Sequence, residues 1–272
     1  MRILLATDGS SHSRRATRWL RDLALPSDTT VTVLTVATLE EPPRDAQTMA
    51  ELRETLSRRA RRVAERAAKT LGRRWRKVQV VVRQGDPRVE IVHAAEEMRV
   101  RMIVLGARGL GRVKRVLIGS TSLAAARYAP CPVAIVRGRP HKTGRVLVAV
   151  DGSSGSRDAL RFLSISELER DSRLTLVHVL PRAVAAERTR HADAEALLRA
   201  AARMLEESRR RVERLVAYGD PAREIVKAAR RRDVDVVVLG ARGLRTLGRL
   251  LLGSVSETVL HQTRRPVIIV RE

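Results

Sequence analysis

The sequence predicts an α/β protein of two tandem domains, each a five-stranded parallel sheet with helices on both faces. Three observations carry this. Short unbroken apolar runs alternate with amphipathic stretches, the pattern of buried parallel strands joined by helices. The chain also repeats itself: Gly106-Ala107-Arg108-Gly109, nine residues, then Gly119-Ser120 returns 134 positions later as Gly240-Ala241-Arg242-Gly243, nine residues, then Gly253-Ser254. Finally, 272 residues suit two domains of roughly 130 residues, each able to bury its own core.

The repeat reaches beyond these glycines. Gly85-Asp86-Pro87 recurs as Gly219-Asp220-Pro221, each followed by a Glu-Ile-Val triplet at Glu90 and Glu224, and Pro132-Val133 recurs as Pro266-Val267, all at the same offset. Asp8-Gly9-Ser10 recurs as Asp151-Gly152-Ser153 at an offset of 143, which Val36 and Val179 keep. The nine extra residues of the first half therefore lie between Val36 and Gly85, in the 40–50 stretch or the helix after it. One domain has been duplicated, with boundaries at 1–138 and 144–272. Residues 137–143, polar and containing Gly and Pro, read as the linker.

In chain order, residues 2–7 form a buried strand ended by Asp8-Gly9. A helix follows, capped by Ser10 or Ser11, with Ala16, Trp19, Leu20 and Leu23 as its apolar stripe. The second half repeats this from Arg145 to Val150, then with Ala159, Phe162 and Leu163. Residues 30–36 and 173–179 are second strands, with His178 packed in the core. Their helices carry Leu52, Leu56, Val63 and Ala67 in one half, and Leu198, Ala201, Leu205 and Val212 in the other. Third strands are expected at 78–82 and 212–217, and Pro87 and Pro221 suit the first turn of third helices. Fourth strands at 102–105 and 234–239 run into the glycine motifs. The last helices begin near Ser120 and Ser254, and the fifth strands are 133–136 and 267–270.

Composition narrows the function classes. No apolar run approaches the ~18 residues of a membrane span, and no signal pattern opens the chain. Cys131 is the single cysteine, which excludes an intramolecular disulfide framework and fits a reducing, cytoplasmic setting. The formal net charge is +24. Its arginine clusters (Arg58-Arg59, Arg61-Arg62, Arg73-Arg74, Arg209 to Arg211, Arg230 to Arg232) fall in expected helices and loops. An arginine-rich surface is thus favoured over a dedicated nucleic-acid site, with non-specific, salt-sensitive polyanion binding expected beside it. Aromatic residues at 2% leave no stacking platform for single strands.

The motifs carry the chemistry. Ligands of doubly wound sheets bind beyond the carboxyl ends of the strands, where strand order switches, and Asp8 and Gly106 both lie there. Gly106 and Gly109 let main chain approach a ligand closely. Gly119-Ser120 opens a helix whose unpaired N–H groups and dipole favour an anion, with Ser122 as a further hydroxyl. Arg108 and Arg242 can fork onto a phosphate or face solvent. An aspartate would repel phosphate, so Asp8 and Asp151 suit a ribose hydroxyl or base N–H.

Gly106-x2-Gly109-x9-Gly119-Ser120, after an aspartate at the end of strand one, resembles the universal stress protein family, in its tandem ATP-binding type. The resemblance covers almost all of both halves. It implies Rossmann-like domains paired as a pseudo-dimer through their last strands, with a further homodimer as an option. It implies ATP as cofactor, with Mg2+ held mainly by the phosphates. Adenine would meet the main chain of Val36 and Val179. Asp8 and Asp151 would take ribose or base, with Ala6 and Ala149 on the same floor. The phosphates would meet Gly106, Arg108, Gly109, Gly119, Ser120 and Ser122 in the first half. Gly240, Arg242, Gly243, Gly253, Ser254 and Ser256 would take that part in the second.

No Gly-x4-Gly-Lys-Ser/Thr is present, which excludes a P-loop enzyme. His12, His93, His141, His191 and His261 share no metal-ligand spacing, and Cys131 has no activating neighbour. No catalytic or metal-binding residue is nominated. The sequence therefore favours a stress-response protein that binds ATP and acts as a regulatory or sensing module. The alternatives are a slow ATPase or self-phosphorylating enzyme, and a charge-driven nucleic-acid-binding protein.

Overall fold

The computed structural model describes residues 1–39, 46–109, 118–138, 144–166, 172–206, 211–243 and 252–271. The chain divides into two compact units, Met1–Arg21 with Pro26–Val136, and Asp22–Leu25 with Arg137–Glu272. Most of the expected linker (139–143) and of the stretch between the glycine pairs (110–117, 244–251) lies outside the described residues, as do residues 40–45.

The first unit is built from β1 (Arg2–Ala6), α1 (Ser11–Asp22), β2 (Thr30–Ala37), α2 (Ala46–Leu71), β3 (Lys77–Gln84), α3 (Pro87–Glu97), β4 (Met102–Gly106), α4 (Ser120–Tyr128) and β5 (Val133–Val136). Its strands lie in the order β3-β2-β1-β4-β5, every neighbouring pair parallel. The second unit has β6 (Arg145–Ala149), α5 (Ser154–Ile165), β7 (Arg173–Leu180), a single 3-10 turn (Arg182–Val184), α6 (Arg188–Glu206), β8 (Arg211–Tyr218), α7 (Pro221–Arg231), β9 (Val236–Gly240), α8 (Ser254–Gln262) and β10 (Val267–Val270). Its order is β8-β7-β6-β9-β10, again all parallel. Both units are therefore doubly wound α/β folds of Rossmann-like type, and β1 and β6 stand at the switch in strand order.

The central strands are apolar because both faces are covered. All of Ile3 to Leu5, Met102 to Leu105 and Val133 to Val136 are buried, as are Val236 to Leu239 and Val267 to Val270. Trp19 and Leu20 of α1, and Ala159 and Leu163 of α5, close one side. The halves also share their cap chemistry. Gly85 and Gly219 adopt positive φ (137° and 145°), turning the chain so that Asp86 and Asp220 cap α3 and α7. Proline follows at the first helical position, where no N–H is needed.

Three expectations need correction. Val212 belongs to β8 and not to the preceding helix, which ends at Glu206. On α2 the deeply buried positions are Ala60, Ala64, Ala67 and Leu71, while Leu52, Leu56 and Val63 are half-buried; the helix presses small side chains on the sheet and larger ones at its flank. Residues 234 and 235 precede β9, because the Asp235 carboxylate receives the N–H groups of Gly144 and Arg145 and so closes the edge ahead of the strand. Of the nine extra residues in the first half, seven lengthen the helix, which has 26 residues in α2 against 19 in α6.

Candidate nucleotide site

The site begins at the corner after β1. Thr7 still donates its N–H to the Leu34 carbonyl (2.9 Å), and the chain then turns through Gly9 at φ 77°. Asp8 Oδ1 accepts the Ser10 N–H at 2.9 Å, and Ser10 Oγ accepts the Ser13 N–H at 3.1 Å, capping α1. The second unit repeats each contact: Asp151 Oδ1 accepts from Ser153 N–H at 3.0 Å, Ser153 Oγ accepts from Ser156 N–H at 3.1 Å, and Gly152 has φ 82°. In both corners one carboxylate oxygen is thus committed to the turn. The other, Oδ2, lies 2.8 Å from where a Gly109 Cβ would stand, and 2.9 Å from that of Gly243. The aspartate of strand one and the second glycine of the motif are therefore neighbours in each unit.

The three motif glycines of the first unit differ in physical role. A Cβ at Gly106 would lie 2.6 Å from the His12 carbonyl carbon, and one at Gly240 2.3 Å from that of Gly155. These glycines let the first helix of each unit press on the fourth strand, so close approach there is to protein and not to a ligand. Gly109 faces Asp8, as described. Gly119 is the N-cap of α4, with no side-chain cap, and a Cβ there would meet Arg108 Cα at 3.4 Å and Ala107 O at 3.5 Å. Gly119 N–H donates to the Ala107 carbonyl (2.8 Å), and Gly253 N–H to that of Ala241 (2.7 Å), so the last helix of each unit starts directly against its glycine-motif strand end.

Ser122 and Ser256 are buried, and their hydroxyls donate to the Gly106 and Gly240 carbonyls, both at 2.8 Å. Their protons brace the strand end. Ser120 and Ser254 open the helices and both are exposed. Val36 and Val179 lie beyond the point where β1 and β6 stop pairing, at Ala6 against Leu34 and Ala149 against Val177, so β2 and β7 outrun their neighbours. Ala6 is buried and Ala149 half-buried on the floor between these strands and the corner.

Several residues near the site escaped the sequence reading. Ser10 Oγ lies 3.4 Å from the Arg108 carbonyl and Ser153 Oγ 3.3 Å from that of Arg242, linking corner and glycine motif; the duplicated Asp-Gly-Ser was the available signal. His178 is half-buried, with Nδ1 2.7 Å from the Val150 carbonyl, the residue before Asp151, so it sits by the corner and not in the core. Arg271 follows β10, and burial, then the nearby positive charge of Arg242, pulls its guanidinium below the ordinary arginine value. Cys131 is buried, which pushes its thiol up to about 12 and keeps it protonated at neutral pH. Among the described residues no cluster of His, Cys, Asp and Glu could hold a metal ion, and no helix is long and apolar enough to cross a membrane.

The profile of the universal stress protein family matches residues 1–137 and again 142–271. The chain belongs to the universal stress protein family. Among relatives, universal stress protein Rv2005c of Mycobacterium tuberculosis is 34% identical over 197 residues, a match covering 68% of this chain and 64% of that protein. A universal stress protein of Mycolicibacterium smegmatis is 28% identical across 99% of this chain and 96% of its own length. Among solved structures, a universal stress protein from Archaeoglobus fulgidus superposes with a TM-score of 0.75 at 24% identity, covering 100% of this chain and 96% of that one. This last likeness supports the tandem fold, and the family's duplicated domain accounts for the internal repeat.

Proposed function

We propose that each unit of this universal stress protein holds one adenine nucleotide, ATP with Mg2+ carried mainly by its phosphates, and that the chain reports nucleotide state as a regulatory module. The observation that supports this most is the approach of an acidic corner to a helix N-terminus across the strand-order switch, found twice with the same contacts. Oδ2 of Asp8, the carboxylate oxygen turned towards Gly109 and without a hydrogen-bond partner among the described residues, suits a ribose hydroxyl. The main chain of Val36 meets adenine above Ala6. Gly109 and Ser120 supply amides to the phosphates at the start of α4, where the bare Cα of Gly119 leaves them room and the helix dipole adds about 0.3–1 kcal/mol for an anion. Arg108 adds a guanidinium.

The second unit uses Asp151, Val179, Ala149, Gly243, Gly253, Ser254 and Arg242 in the same parts. Gly106, Gly240, Ser122 and Ser256 act on the phosphates through the strand end and loop they hold. Domain pairing through the last strands, and a further homodimer, belong to the same proposal. The test is calorimetric titration with Mg-ATP. Gly119→Val and Gly253→Val should each remove one site, because a branched side chain enters phosphate space; unchanged stoichiometry in the double variant would overturn the assignment.

A further inference from the structure

The N-terminal edges of the two sheets, at the strand ends remote from the candidate nucleotide sites, carry opposite chemistry. In unit 2, Arg145 at the start of β6 donates from Nη2 to Asp233 Oδ2 at 2.5 Å, and its Nε lies 3.7 Å from Asp235. Arg265 donates to Asp233 Oδ1 at 2.8 Å, and Asp235 receives two main-chain N–H groups. The positions in unit 1 related by the two repeat offsets are Arg2, Arg99 and Arg101. Their backbone is the same. Arg101 N–H donates to the Arg2 carbonyl at 2.8 Å, as Asp235 N–H does to that of Arg145. Arg99 and Asp233 share the left-handed conformation, at φ 46° and 49°.

At these three positions unit 1 therefore presents three guanidiniums, where unit 2 has Arg145 and two carboxylates, with Arg265 as a further partner of Asp233. All three are exposed, and none has a carboxylate partner among the described residues. Backbone preference does not explain the arginine at position 99, since an aspartate tolerates positive φ better. Along the same edge, ahead of β3, Arg73, Arg74, Arg76 and Lys77 are exposed and equally without ionic partners, Arg74 lying over the Trp75 ring at 5.5 Å. Between these groups Asp28 is 3.8 Å from the Met1 ammonium, and Glu96 is the carboxylate beside Arg99 on the chain.

We propose that this edge of unit 1 docks the phosphate backbone of a nucleic-acid duplex. Arg2 and Arg101 stand two and three strand spacings from β3, about 10 and 14 Å at ~4.8 Å each, bracketing the ~12 Å width of a major groove, so the two groups reach phosphates on its two rims. Guanidinium forks match phosphate geometry. Trp75, the aromatic ring among the cations ahead of β3, is buried and offers no face for stacking on unpaired bases. Among the described residues the exposed large apolar side chains, Val89, Tyr128, Ile165 and Met204, are scattered singly over four helices, which disfavours a membrane surface.

The test is fluorescence anisotropy of a mixed-sequence DNA duplex across a salt series, comparing the wild-type chain with R99D/R101D and with R188E/R199E. The first variant copies into unit 1 the aspartates that unit 2 carries; the second makes the same change in net charge at exposed positions of α6. The expected result is a slope of log affinity against log salt that becomes shallower by about 2.7 in R99D/R101D, three phosphate contacts at about 0.9 each, and stays unchanged in R188E/R199E. Thermal melting should show R99D/R101D folded, since its new carboxylates pair with Arg2. Equal loss in both variants would overturn the proposal in favour of diffuse charge. So would tighter binding to the matching single strand, or binding to phosphatidylserine vesicles without binding to duplex.

Discussion

A Cβ built at Gly106 would stand 2.6 Å from the backbone of His12, whereas one at Gly119 would find nothing nearer than Arg108 Cα at 3.4 Å. The first glycine is demanded by packing between α1 and β4; the second leaves room for a side chain. Gly106→Ala should therefore lower stability by about 1–3 kcal/mol through overpacking, read as a fall in the denaturant midpoint. Gly119→Ala should change that midpoint by less than about 1 kcal/mol equivalent and weaken nucleotide binding in the same sample. Ser122→Ala should cost about 1–2 kcal/mol, because the Gly106 carbonyl loses its buried donor. If Gly119→Ala instead melted the fold and Gly106→Ala did not, the division of roles between these glycines would be wrong. The pattern Gly-x-x-Gly was legible in the sequence, but not which glycine faces protein, since that depends on where α1 comes to rest.

Among the elements, α3 and α7 begin with the same Gly-Asp-Pro and an aspartate cap, Asp86 accepting from the Arg88 N–H two residues on at 2.8 Å and Asp220 from the Arg223 N–H three residues on at 2.9 Å. Asp86→Ala and Asp220→Ala should each cost about 1 kcal/mol, measured by thermal melting. The edge of unit 2 adds a pH dependence. Hydrogen bonds from Arg265 and then Arg145 hold the Asp233 carboxyl below its ordinary value. A lowered folded pKa means stability present above the unfolded value of about 3.9 and lost as pH falls through the folded one. The stability difference between wild type and Asp233→Asn should therefore shrink as the pH drops below about 4; a difference that grows on acidification would contradict the ion knot.

Strand positions were legible because parallel central strands must be apolar on both faces, as Val133–Val136 and Val267–Val270 are throughout. The helix before β8 was read too far, to Val212, because an alternating apolar run at a helix–strand junction fits both periods. His178 was read as core because a single histidine in an apolar strand gives no sign of its neighbour. What decides its place is the Val150 carbonyl, 28 residues away in sequence.

At the scale of the whole molecule, duplication is the dominant fact: two units, each with five parallel strands, a corner and a helix start. The charge of +24 is not divided in the same manner. Unit 2 pairs Arg145 and Arg265 with Asp233, while the matching positions of unit 1 are Arg2, Arg99, Arg101 and Cys131, with no carboxylate among them. Symmetric corners and an asymmetric edge suggest that nucleotide binding is a property of both units and polyanion docking of one. The central claim is the first of these. The measurement that tests it most directly is the adenine-nucleotide content of the chain after saturation with Mg-ATP, desalting, denaturation and chromatography of the released ligand. About two nucleotides per chain are expected, one in Gly119→Val or Gly253→Val, and none in the double variant, a simple consequence of two independent sites. A folded wild-type chain that releases none, or a double variant that releases as much as the wild type, would contradict it.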